Sequence, residues 1–72
     1  PAEGLQRAED RRLMSDAVEH LPRQERLVVS MYYLDDLRLK EIGEVLGLSE
    51  SRVSRILARA QLRMREYVHR HS

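Results

Sequence analysis

The sequence predicts a small all-α domain of four helices, the last two forming a helix-turn-helix over about residues 39–68. Three observations carry this. Apolar residues recur at three- to four-residue spacing along most of the chain. Glycine and proline are rare, and Pro22 and Gly47 fall where one helical pattern gives way to the next. Gly43, Gly47, Ser49, Val53 and Ile56 stand at the spacing that two crossed helices require. With 72 residues the chain is one domain, near the lower limit for a fold held by its core alone.

The first helix is predicted over about Leu5 to His20, with Leu13, Met14, Ala17, Val18 and Leu21 facing inward. Pro22 ends it and opens the second helix, because proline fits a first turn but not an interior. That second helix runs to about Leu34, with Leu27, Val28, Met31 and Leu34 or Tyr32 inside. Asp35-Asp36 then makes a turn. The third helix spans about Leu39 to Leu46 and buries Leu39, Ile42 and Leu46. A small residue at Gly43 lets the following helix cross closely. Gly47 closes the third helix in a left-handed conformation. Ser49 caps the fourth, Glu50 suits its positive end, and no breaker follows before about Val68.

Charge is divided along the chain. Residues 1–37 hold five Arg and eight Asp or Glu, a balance of −3, while residues 38–72 hold eight Lys or Arg and four Glu, a balance of +4. A basic C-terminal half fits a polyanionic partner, although any solvated basic helix would look the same. On a helical wheel of the fourth helix, Val53, Ile56, Leu57, Ala60, Met64 and Tyr67 fill an arc of roughly 100°. Arg52, Arg55, Arg59, Arg63 and Arg70 form a stripe beside that arc, and Ser51 and Ser54 point away from it. A small polar face bordered by arginine suits a helix entering a major groove N-terminus first. Arg65 lies on another side and is solvated, and Leu62 lies off the core face; Leu62 is an isolated exposed leucine or a partner contact.

Other chemistry is thin. His20, His69 and His71 have no carboxylate and cysteine constellation of the kind a catalytic site needs, so no enzyme and no cofactor are expected. His69 and His71 read as solvated tail residues, not metal ligands, and Asp35-Asp36 as a turn. Tyr32-Tyr33 reads as one core ring and one half-exposed ring. There is no cysteine, phosphate loop or dinucleotide fingerprint. No signal peptide or membrane span is apparent, so a cytoplasmic protein is expected. The chain lacks an initiator Met and is expected to be a piece of something longer.

The stretch LPRQERLVVSMYYLDDLRLKEIGEVLGLSESRVSRILARAQLRMRE resembles region 4 of a bacterial RNA polymerase sigma factor. The likeness is to the group 3 flagellar and sporulation type (WhiG-like) and covers about Leu21 to Arg65. The distinctive pieces are LPxxER before a Tyr pair, the LxEIGEVLGxSESRVS core and the long basic helix behind it. LuxR-type response-regulator domains share the LPxxE start and a KEIAxxLG helix, but differ where this chain has SRVSRI.

The resemblance implies a non-enzymatic domain that binds the upstream, minus-35 promoter element and docks on the β-subunit flap of RNA polymerase. It also implies an anti-sigma protein as a partner. Position by position, the base-reading residues of the family fall on Glu50, Ser51, Ser54 and Arg55. Lys40 matches a backbone-contacting position and Arg52 an arginine that contacts DNA or its backbone, with Arg59 following the groove edge. Arg55 stands where relatives commonly carry glutamine, which would move base preference from adenine toward guanine. Arg38 replaces the usual Thr or Asn cap of the third helix, a loss of something like 1 kcal/mol. A second reading is an interaction module whose main partner is protein, motivated by Leu62 and Tyr32-Tyr33.

Overall fold

A computed structural model describes the backbone of residues 2–72 and the side chains of residues 8–72. Among these the elements are α1 (Ala2–Glu19), α2 (Arg23–Val29), a π-helical turn (Ser30–Leu34), α3 (Leu39–Leu46) and α4 (Glu50–His71). There is no strand among the described residues. The 22-residue α4 is the spine, and α1, α2 and α3 all pack against it. Its length makes the molecule elongated, 44 × 22 × 15 Å.

The core is a single cluster. Val28 from α2, Ile42 from α3 and Val53 from α4 are fully enclosed. Ala17, Leu21, Val29, Ile56, Leu57, Ala60 and Met64 complete it, so the predicted inner arc of α4 is the buried one. Tyr67 is half-buried against that cluster. Ala17 on α1 and Leu21 just after it are inside as expected, whereas Met14 is 44% exposed on the wall of a groove.

The inner face of α2 departs from the expected one. Leu27 is 39% and Leu34 81% exposed, and the buried residues are Glu25, Val28 and Val29. The real stripe is Leu21, Glu25, Val28, Val29 and Tyr32. From Ser30 the chain widens into a π turn, closed where the Asp35 amide donates to the Ser30 carbonyl at 3.2 Å. One extra residue per turn shifts the phase of everything after Val29, which carries Leu34 out to solvent. Tyr32 is half-buried and Tyr33 54% exposed, their rings edge to face at 4.9 Å.

The turn after the π segment places Asp36 at φ 59°, a left-handed conformation that aspartate tolerates better than most residues. α3 then has the bounds its pattern predicts. Its start is half-capped: Glu41 Oε1 accepts from the Arg38 amide at 2.9 Å. Arginine carries no acceptor, so Arg38 cannot return that bond to the helix. At the other end of the chain, α4 continues past Val68 to His71. Tyr67 stacks on His71 at 4.1 Å and lies 4.7 Å from His20, while His69 and His71 remain exposed, as expected.

Candidate nucleic-acid interface

The turn between α3 and α4 sets the geometry of the site. Gly47 has φ 70°, and the Leu48 amide donates to the Gly43 carbonyl at 2.8 Å. A β-carbon on Gly43 would collide with the Leu48 carbonyl oxygen. The glycine therefore makes room for the backbone of the turn, not for the crossing helix itself. Ser49 caps α4, its Oγ accepting from the Arg52 amide at 3.1 Å. Ser49 Oγ also lies 3.2 Å from Ser51 Oγ, which ties the Ser51 hydroxyl to the cap.

Beyond the cap, burial alternates as a two-faced helix requires. Val53, Ile56, Leu57 and Ala60 are buried, while Glu50, Ser51, Arg52, Ser54, Arg55 and Arg59 are all exposed. Lys40, second residue of α3, is exposed as well. Thus all seven predicted contact residues lie at the surface, six of them on the first three turns of α4. Among the described residues no carboxylate pairs with Arg52, Arg55 or Arg59.

Arg63 is different. It belongs to the stripe on the wheel, but its Nε lies 3.0 Å from Glu25 Oε1 and donates to Oε2 at 3.1 Å. Glu25 is 8% exposed, so Arg63, although its side chain is still 55% exposed, is engaged by a buried carboxylate and is not a free member of the basic stripe. Sequence reading missed Glu25. Its signal was position: four after Leu21 and three before Val28, a charge on an otherwise apolar stripe.

A second surface lies along the other half of α4. An open groove of about 970 Å³ runs between α1, the π turn and α4. Val18, Val29, Met64 and Val68 line it with the exposed Met14, Tyr33 and Leu34. Gln61 Nε2 donates to the Tyr33 hydroxyl at 2.8 Å and fixes that ring at the groove wall. Leu62 is 53% exposed and is not among the groove-lining residues. No described helix is long and apolar enough to cross a membrane.

A family profile described as "Sigma-70, region 4" matches residues 17–66, which span α1's last turn through most of α4. The chain belongs to the sigma-70 region 4 family. The match decides between the two helix-turn-helix families that share an LPxxE start. It is also a DNA-binding, non-enzymatic family of transcription initiation. An RNA polymerase sigma factor FliA of Pseudomonas aeruginosa is 48% identical over 65 residues, 90% of this chain and 26% of that protein. The FliA of Escherichia coli K12 is 47% identical over 55 residues, 76% of this chain and 23% of that protein. The sigma-D factor of Bacillus subtilis is 37% identical over 65 residues, 90% of this chain and 26% of that protein. The chain thus spans about a quarter of the length of these relatives.

Proposed function

We propose that this region 4 domain reads the minus-35 element of a promoter with the first turns of α4 while it docks on RNA polymerase. The observation that carries the reading is the face made by Glu50, Ser51, Ser54 and Arg55: small, polar, exposed and bordered by arginines that no carboxylate among the described residues pairs with. Arg55 donates to guanine O6 and N7, Glu50 accepts from a cytosine amino group, and the serines accept either partner. Arg52, Arg59 and Lys40 hold phosphates and set the register without reading sequence.

Docking uses the groove. It begins at Gln61, six residues or roughly 9 Å along α4 from Arg55, and continues to the C-terminal end. A partner segment seated there leaves the reading face open, so DNA and polymerase are held together. The occupant in an initiating complex is the β-subunit flap. An anti-sigma protein that covers the same apolar wall would compete with it, which is the second reading that the exposed Met14, Tyr33 and Leu34 favour. Both activities belong to the cytoplasm, where polymerase works.

The test separates base reading from phosphate holding. Arg55→Ala should change the preferred sequence of the upstream element, losing about 1–3 kcal/mol of discrimination at one base pair. Arg59→Ala should weaken binding to every duplex alike and reduce the salt slope by about one. Equal, sequence-blind losses from both variants would overturn the assignment.

A further inference from the structure

Glu25 and Arg63 form an ion pair in which the carboxylate is buried and the arginine side chain is 55% exposed. Glu25 sits on the buried stripe of α2, between Leu21 and Val28. A single Arg63 nitrogen lies against both of its oxygens, at 3.0 and 3.1 Å, and Oε1 has no donor aligned on it. A carboxylate held this sparingly contributes little net stability, because desolvating it offsets the attraction. What such a pair does supply is direction. Apolar contacts allow a helix to roll about its axis; a hydrogen-bonded charge pair fixes the angle at which one side chain must point.

We propose that Glu25 is a positioning residue for DNA reading: through Arg63 it fixes the roll of α4 and so aims Ser51, Ser54 and Arg55. Arg63 lies two to three turns downstream of these residues on the same rigid helix. A roll of roughly 10° moves a side-chain tip about 1 Å, given a helix radius of about 5–6 Å. That displacement spoils a bidentate base contact while leaving phosphate contacts within reach. The proposal rests on α4 being the reading helix.

The sign of the effect makes it testable. Glu25→Leu removes a negative charge and frees an arginine, so electrostatics alone would tighten binding to any DNA. Positioning predicts the opposite for a specific site. The 72-residue chain and its Glu25→Leu and Glu25→Gln variants would be titrated with a preferred promoter duplex and with a scrambled duplex. Expected are a loss of roughly tenfold in the ratio of specific to scrambled affinity for Glu25→Leu, and near-wild-type values for Glu25→Gln, whose amide oxygen can take the Arg63 bond. The Glu25→Leu/Arg63→Leu variant keeps the net charge and replaces the pair with apolar side chains, so it carries the test if the single variant does not fold; the same loss of ratio is expected. Amide resonances of Ser51, Ser54 and Arg55, recorded without DNA, should shift in each variant that loses the pair. An unchanged or raised affinity ratio in a folded variant, or unmoved resonances, would overturn the proposal. Failure of the wild-type chain to prefer any duplex, with the resonances still shifting, would instead count against the reading helix and leave the roll established.

Discussion

The Leu48 amide donates to the Gly43 carbonyl at 2.8 Å, and the Leu48 carbonyl stands where a Gly43 side chain would be. Two residues thus close the turn that sets α3 against α4. Gly43→Ala is expected to destabilise the fold by about 2 kcal/mol, since the backbone of the turn must move and the gain in helix propensity offsets only part of that. Gly47 is different: nothing lies near its missing β-carbon, and only its φ of 70° resists substitution. Gly47→Ala should therefore cost about 1 kcal/mol. Denaturant unfolding of both variants gives the order, and a Gly47 variant worse than the Gly43 variant would contradict it.

The cap on α4 sets a smaller effect. Ser49→Ala removes the acceptor for the Arg52 amide and is expected to lose about 1 kcal/mol. Ser49→Asp should retain most of it, because a carboxylate accepts the same bond and suits the helix dipole. Urea midpoints check both.

Asp36 is held at φ 59° in the turn before α3. Asp36→Gly is expected to fall within about 1 kcal/mol of wild type, relief of strain offsetting the greater freedom of the unfolded chain. Asp36→Val, β-branched at the same angle, should lose about 1–2 kcal/mol. Equal melting temperatures for the two variants would show that the turn adjusts.

The sequence was most informative where a position allows few residue types. Gly47 at a left-handed φ, Ser49 as a cap and the ends of α3 were readable because backbone chemistry restricts those positions to glycine, small polar residues and apolar spacing. The inner arc of α4 was readable because its period never breaks. The period breaks after α2: the π turn at Ser30 shifts the phase, and a wheel drawn at a constant angle put Leu34 inside. Glu25 was missed for another reason. A lone glutamate is read as a surface residue, and its burial depends on Arg63, 38 residues away in sequence. Position on the apolar stripe marks Glu25 locally, but neither its partner nor the groove leaves a local signal, since each is made by elements that meet only after folding.

The groove and the reading face should be separable by mutation. Leu34 is 81% exposed at the groove wall, so Leu34→Asp is expected to leave stability within about 0.5 kcal/mol. DNA affinity should also be unchanged, while binding to a purified polymerase core falls at least tenfold. Co-elution with the core, wild type against variant, is the measurement; full retention would move the docking surface elsewhere.

The most direct test of the central claim is an anisotropy titration of the chain with labelled duplexes that vary the upstream element, at two salt concentrations. Three phosphate contacts, from Lys40, Arg52 and Arg59, predict a slope of log affinity on log salt of roughly −3. The account predicts that slope together with a preference for one element that persists at both salt concentrations. Binding that ignores the element, or no binding at low salt, would contradict it and make the exposed arginines of α4 a solvated face.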